Sequence, residues 1–279
     1  MKAARIRELL DRHGLRLHRE RGQNFLLGEA PAERLAALAG VEAGDTVLEV
    51  GTGLGTLTRA LAARAARVVT IEIDSGLVRA LESESLLPKN VELLHADARD
   101  LDLGAMAAKI EGRVRLVANL PYSAATPLLR RCLDWGPVFE DWSVMVQREV
   151  GKRLLAEPGS RDYGSLSVLH QLCVDVELAT QLGGERFFPR AKVRSSFLRI
   201  TPQRTPRVRP EVLPVVERIA RAAFNQRRKM IGNSLSALAP DADALAAWFA
   251  AAGVSSKERP QALLPERWLA LAQHVPLDC

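Results

Sequence analysis

Cysteine is scarce: the 279 residues contain three, at positions 132, 173 and 279. An odd number so widely spaced builds neither a disulfide framework nor a metal site, and it suits a reducing compartment. His13, His18, His95, His170 and His274 show no metal-ligand spacing either, so no metal is expected. No apolar stretch approaches the roughly 20 residues that span a bilayer, so no membrane association is expected. The opening MKAARIRELLDRHG holds no apolar signal core, and the expected location is the cytoplasm. The phosphate-cradling pattern G-x-x-x-x-G-K-[ST] occurs nowhere. Tyrosine, at two residues, is rarer than cysteine.

What is present describes a globular chain, 47% apolar and 26% charged, with a mean hydropathy of −0.03. The length exceeds one typical domain of about 100–200 residues, which predicts a main domain with a smaller one appended. The net charge of +6 is uneven. Residues 186–230 carry 13 Lys and Arg against Glu211 and Glu217, a net +11, which leaves −5 for the remainder. Residues 1–24 hold seven basic and three acidic residues. Two basic blocks around a mildly acidic middle suggest a surface that neutralises phosphates.

Apolar β-branched runs predict strands at 46–50, 68–73, 91–95, 114–118, 142–147, 174–181 and 195–200. Helical patterns fill 31–40, 56–66, 76–86, 124–134, 148–156 and 164–172. Such alternation implies βαβ units and a mostly parallel, doubly wound sheet covered on both faces. The last two strands lie close in sequence, so an antiparallel end is expected. TPQRTPRVRP at 201–210 reads as a linker. Beyond it only helical patterns follow, at 211–223, 227–238, 242–252 and 265–274, with Trp248 and Trp268 on apolar faces. The expected division is a basic arm at 1–30, an α/β domain at 31–204 and a helical domain at 205–279.

Strand TVLEV runs into Gly51-Thr52-Gly53-Leu54-Gly55 and then a helix. Glycines there permit a sharp turn and close approach of a ligand. The spacing is G-x-G-x-G, not the G-x-G-x-x-G of diphosphate loops, and Glu49 stands two residues before it. A carboxylate in that place suits a cation better than a diphosphate. Glu72 ends the second strand, 21 residues after Gly51, where an acid can accept both hydroxyls of a ribose. Asp74 competes for that role but reads as solvated. Asp97 follows the third strand, suited to an adenine amine or to capping a helix. Glycines, Glu and Asp at successive strand ends fit an adenosine without phosphates, and S-adenosyl-L-methionine is the common cofactor of that description.

The fourth strand ends in Asn119-Leu120-Pro121-Tyr122. An adenine amine is a poor nucleophile because its lone pair is delocalised into the ring. The Asn119 side-chain oxygen and the Leu120 carbonyl can hold both amine protons and favour a pyramidal nitrogen. Pro121 stiffens the loop. Tyr122 offers a face for base stacking, worth about 1–3 kcal/mol. A capped turn is the plainer role for these residues.

Together NLPY at 119–122 and EVGTGLGTLT at 49–58 resemble the adenine-N6 methyltransferases of ribosomal RNA. GQNFL (22–26), QREVGKRLLAEPGSRDYGSLSVL (147–169), FFPRAKVRSS (187–196) and FNQRRKMIGNSL (224–235) are similar to the KsgA/RsmA family of small-subunit dimethyltransferases. The resemblance covers about residues 20–240. It implies a Rossmann-like class I methyltransferase domain with a seven-stranded sheet and a helical C-terminal domain. It further implies transfer of four methyls from S-adenosyl-L-methionine to N6 of two adjacent adenosines in the 3′-terminal hairpin loop of 16S rRNA. By the same resemblance Asn24, Leu26, Gly51, Gly53, Glu72, Asp97 and Asn119 border the cofactor. Phe187 stacks on the flipped adenine opposite Tyr122. Arg190, Lys192, Arg194, Arg227, Arg228 and Lys229 are the expected RNA contacts, the last three opening a helix. The substrate would be an immature 30S particle and the enzyme a monomer. The chain departs from the family in having Thr52 where Pro is frequent, and Arg194 where an acid is frequent.

Two alternatives remain at this point. An Erm-type large-subunit rRNA methyltransferase shares the core chemistry, although Leu120 and FNQRRKMIGNSL weigh against it. A non-catalytic RNA- or DNA-binding assembly or transcription factor could use the same fold, although an intact NLPY weighs against that.

Overall fold

The structure, a computed structural model, describes every residue except 18–22, 120–121, 204, 206 and 277–279. The chain divides into two compact units: residues 1–151 with 177–202, and residues 152–176 with 203–279.

Strands β1 (Phe25–Leu26), β2 (Thr46–Val50), β3 (Arg67–Glu72), β4 (Val91–His95), β5 (Val114–Asn119), β6 (Asp141–Gln147), β7 (Val174–Leu182), β8 (Phe187–Phe188) and β9 (Ser195–Pro202) follow in chain order. Seven of them form one sheet in the order β4-β3-β2-β5-β6-β9-β7. Neighbours from β4 through β6 pair in parallel, and β9 runs antiparallel to β6, giving the sheet the antiparallel end expected of it. All five residues of β2 are buried, as both faces of a central parallel strand should be. The intervening helices are α1 (Ala3–Arg12), α2 (Glu29–Leu38), α3 (Thr56–Ala62), α4 (Ser75–Ser83), α5 (Leu103–Ala107), α6 (Tyr122–Trp135) and α7 (Arg148–Leu154).

Helix α1 lies within the stretch expected to be a basic arm. Its spacing buries Ile6, Leu9 and Leu10 in a cluster with Phe25, Leu54 and Leu77. Arg5, Arg12 and His13 converge on Glu84 at 3.0, 2.7 and 3.2 Å. Arg5 and Arg12 of the expected arm are therefore engaged within the fold. The two-residue strands β1 and β8 pair antiparallel as a separate sheet.

At the opposite strand ends lies a buried ion network. Arg115 on β5 is 3% exposed and bonds Asp45 at 2.7 Å and also Asp141 on β6. Arg199 on β9 reaches Asp141 at 2.7 Å, and Arg113 reaches Asp45 at 2.9 Å. These contacts tie β5, β6 and β9 together at one end of the sheet.

The second unit contains α8 (Ser165–Cys173), α9 (Leu213–Phe224), α10 (Ile231–Leu235), α11 (Ala242–Ala251) and α12 (Pro265–Gln273). The sequence division put 152–176 with the first domain; packing puts it with the C-terminal helices. Tyr163 is fully buried, donates to the Leu263 carbonyl at 3.0 Å and meets Phe224 edge-on at 5.9 Å. Phe224 stacks on Trp268 at 5.3 Å. Trp248 and Trp268 are 2% and 0% exposed, core residues as expected. The helix expected over 227–238 is shorter. Met230 is extended and caps α10, whose first N–H groups, of Ile231 and Gly232, bond Glu258 and Ser256 carbonyls at 2.7 and 2.9 Å. Arg227, Arg228 and Lys229 therefore stand in a turn before the helix, not on it.

Replacing Arg115 by Met would leave two buried aspartates short of a cation. The expected loss is about 3–5 kcal/mol of unfolding free energy, read from urea denaturation. A change below about 1 kcal/mol would mean that Arg113 and Arg199 suffice.

Candidate active site

The strand order reverses at β2, with β3 and β4 on one side and β5 on the other. In open parallel sheets, ligands bind at such a switch point, beyond the carboxyl ends. There β2 turns into the glycine loop, with Gly51, Gly53 and Gly55 at φ of +90°, +58° and +71°. A Cβ on Gly53 would lie 3.1 Å from the Phe25 ring. Only glycine suits both that φ and that approach.

Above the loop opens a cavity of about 590 Å³, wholly within the first unit. Small-ligand sites span about 300–1,000 Å³. Asn24, Leu26, Gly51, Gly53, Glu72, Asp97, Asn119 and Phe187 all line it. These are the cofactor and catalytic candidates whose side chains are described. Leu120 and Pro121, and the side chain of Tyr122, lie outside the described residues.

Glu72 is 6% exposed, and its oxygens accept from the Gly53 and Asp74 N–H groups at 2.8 and 2.9 Å. Burial raises its carboxyl above the usual range, and the two backbone donors oppose that. Each oxygen keeps lone pairs for a ribose hydroxyl. The Gly53 N–H thus serves a carboxylate rather than a phosphate. Asp74 is not solvated, as read from the sequence. It caps α4 through the Gly76 and Leu77 N–H groups at 2.9 and 3.2 Å and accepts Gln23 at 3.0 Å.

Asp97 lies just past β4 and caps no helix, since α5 begins later and is capped by Asp102. Arg99 holds it instead, through its backbone N–H at 2.9 Å and its guanidinium at 2.6 Å. That guanidinium keeps the Asp97 carboxyl below its usual range. Arg131 on α6 donates to the Leu101 carbonyl at 2.7 Å and also to that of Arg99, bracing the loop.

Asn119 ends β5, and its amide nitrogen donates to the Asn24 carbonyl at 3.4 Å. Its side-chain oxygen is thereby left as the acceptor. Leu26 and Phe187, far apart in sequence, are register partners between β1 and β8. Phe187 is 3% exposed and shares a core cluster with Leu26, Met145 and Phe197 while forming cavity wall. Arg190, Lys192 and Arg194 are exposed in the first unit; Arg228 and Lys229 are exposed and Arg227 half-buried in the second. Arg227 bonds the Arg161 carbonyl at 2.8 Å and lies 5.6 Å over the Phe224 ring.

A buried acid ending β3, a carboxylate just past β4 and a glycine loop whose Gly53 N–H serves a carboxylate are a lining that S-adenosyl-L-methionine fits. They do not fit a dinucleotide. Residues 14–275 match the family described as ribosomal RNA adenine dimethylase. The chain belongs to that family. Among its curated relatives, the ribosomal RNA small subunit methyltransferase A of Cereibacter sphaeroides is 40% identical over 97% of this chain and 96% of its own. Those of Magnetococcus marinus and Clostridium acetobutylicum are 38% and 34% identical, covering 96% and 99% of this chain and 95% and 99% of their own. The crystal structure of the 23S rRNA methyltransferase ErmE is similar at a TM-score of 0.64 and 27% identity, over 90% of this chain and 99% of that one. A dimethyladenosine transferase from Plasmodium falciparum shares the fold at a TM-score of 0.70, with 21% identity over 88% of this chain and 95% of its own.

Sequence reasoning passed over Gln23, Arg99 and Arg131 in this family member's site. Arg99 stands two residues after Asp97 and was within reach of a local reading. Gln23 and Arg131 act on partners 51 and about 30 residues away, which no local pattern reveals.

Glu72→Gln should weaken S-adenosyl-L-methionine binding about 10- to 150-fold, the worth of about 1.5–3 kcal/mol for hydrogen bonds to a charged group. Calorimetry on the full chain measures it, and an unchanged Kd would remove Glu72 from the ribose site.

Proposed function

We propose that this chain transfers methyl groups from S-adenosyl-L-methionine to N6 of two adjacent adenosines in the 3′-terminal hairpin loop of 16S rRNA, dimethylating each. It acts as a cytoplasmic monomer on an immature 30S particle. The reading rests on one coincidence: near full-length similarity to small-subunit methyltransferases and an adenosine-shaped set of acids converging on Asn119.

Bound across the strand ends, S-adenosyl-L-methionine supplies an electrophilic methyl on a sulfonium. Glu72 orients the ribose, Asp97 the adenine amine, and Asn24, Leu26 and the Gly51–Gly53 loop border the remainder. The target adenine leaves its stack to enter the cavity, as bases do for chemistry on their edges. The Asn119 oxygen and the Leu120 carbonyl accept the two amine hydrogens, turning the nitrogen lone pair toward the methyl. Pro121 stiffens this loop, and Tyr122 and Phe187 hold the ring from its two faces. The excess proton passes to water or RNA, so no side chain needs to act as a strong base. Arg190, Lys192 and Arg194 on one unit, and Arg227, Arg228 and Lys229 on the other, neutralise phosphates.

The likeness to ErmE supports a second substrate, large-subunit rRNA. Methyl transfer to immature small-subunit particles, set against naked large-subunit rRNA, separates the two. The proposal requires dimethylated adenosines in the 16S product by mass mapping.

Asn119→Ala should lower methyl transfer at least 100-fold, the loss typical of a removed transition-state acceptor or donor. Cofactor binding should survive in part, and retained turnover would refute the assignment. Replacing Arg227, Arg228 and Lys229 together by Ala should weaken RNA binding and reduce its log–log salt slope by about 2, given roughly 0.7 per phosphate on single strands. Cofactor affinity should not change.

A further inference from the structure

Glu49 takes no part in the mechanism above, yet it is a fully buried acid directly beneath the glycine loop. It sits on β2 opposite Thr70 on β3 and Val117 on β5. Thr70 donates its hydroxyl to Glu49 Oε2 at 2.7 Å. Thr70's hydroxyl oxygen is also 2.7 Å from that of Thr52, a loop residue that lines the cavity. With Glu49 ionised, Thr70 gives its one hydroxyl hydrogen to the carboxylate and accepts from Thr52; with Glu49 protonated, the row runs the other way, from Glu49 through Thr70 to Thr52. A continuous row of hydroxyls therefore joins the buried carboxyl to the ligand cavity. Thr52, where the resembled family frequently has Pro, supplies its last member.

The surroundings of Glu49 hold little positive charge. Burial pushes its carboxyl up to about 7, the Thr58 and Thr70 hydroxyls and Arg59 on α3 pull the other way, and Glu72 pushes with burial. Thr58 lies close, but its hydroxyl and Glu49 Oε1 both lack a hydrogen-bond partner among the described residues. Arg59 directs Nη1 to the Leu54 and Leu86 carbonyls at 3.2 and 3.4 Å rather than to Glu49. Val117 contributes no charge. Asp74 faces Glu72 and raises it further. A site built this way lacks a cation that a ligand can bring.

We propose that Glu49 carries a proton while the cavity is empty and ionises when a cationic ligand occupies the glycine loop, so that the site prefers the charged methyl donor over its neutral demethylated product. The inference rests on the cavity being the S-adenosyl-L-methionine site. The proton is balanced through the hydroxyl row. Glu49 gives its proton to Thr70, Thr70 passes its own to Thr52, and Thr52 releases one to the cavity water, leaving a carboxylate that again accepts from Thr70. Product carries no sulfonium, so Glu49 regains its proton and the affinity falls after each transfer. That helps an enzyme that must exchange its spent cofactor four times for one substrate.

Calorimetric titration of the full chain with S-adenosyl-L-methionine and with S-adenosylhomocysteine, in buffers of different ionisation enthalpy near pH 6.5, reads the protons released. Release should be set by the fraction of Glu49 still protonated in the free chain for the methyl donor and be smaller for the product. Affinity for the donor should tighten toward tenfold per pH unit below about pH 7, the slope for one linked proton. Glu49→Gln should abolish both effects. Equal release by the two ligands, or release that survives in Glu49→Gln, would overturn the proposal and move the proton to Glu72 or to the ligand. Failure of both ligands to bind would instead overturn the site, and the proposal with it.

A ligand-free measurement stands apart from that. The unfolded chain ionises Glu49 near 4.5 and the folded chain only at about 7, so folded stability falls as pH rises between those values. Urea midpoints of the native chain should therefore lose ground to those of Glu49→Gln as pH rises from 4.5 to about 7. A gap that does not change with pH would also overturn the proposal.

Discussion

A Cβ on Gly51 would lie 3.3 Å from the Asn119 carbonyl oxygen. That near-contact is where the ends of β2 and β5 meet, and the site depends on it. β2 carries the glycine loop and β5 ends in Asn119, and both line the cavity. They are adjacent and parallel, so both loops leave the sheet at the same edge. Any side chain at residue 51 would push the two apart, and the spacing between donor and acceptor with them. Catalysis by positioning tolerates little of that, because effective molarity falls steeply with displacement.

The same edge concentrates acidic side chains. Glu49, Glu72 and Asp74 gather around the loop, and Asp97 lies one strand further on. Buried carboxylates without full compensation are costly alone. Around a ligand that carries a sulfonium they become complementary. The surplus positive charge of the chain lies elsewhere, on exposed residues such as Arg190, Lys192, Arg228 and Lys229. Acidic and basic side chains are thus segregated, the acids around the cavity and these exposed bases away from it.

Legibility in the sequence followed locality. The strands at 46–50 and 91–95 were read to the residue: the first is a continuous buried apolar run, and the second, a half-exposed edge strand, is still a short apolar run bounded by turns. Glycine loop, Glu72, Asp97 and Asn119 were legible because each closes such a run. Helix α1 was hidden under its own charges, and β1 and β8 are too short to carry a period. Asp74 was misread as solvated because the start of α4 beside it decides its role. The stretch 227–229 was misread as helix because Glu258 and Ser256, not the local pattern, cap α10.

The sequence by itself determined the order of elements, the chemical type of each strand end and the segregation of charge, since these follow from composition and short-range pattern. Tertiary structure alone decided which of those ends share a cavity. Register placed Glu49 opposite Thr70 and Leu26 opposite Phe187, and a slip of one residue would have sent each side chain to the other face. The packing of α8 with the C-terminal helices was likewise settled by Tyr163, Phe224 and Trp268 meeting across more than a hundred residues of chain. Contacts at that separation leave no trace in a local window, because the side chains that make them are chosen for shape at a junction the window does not contain.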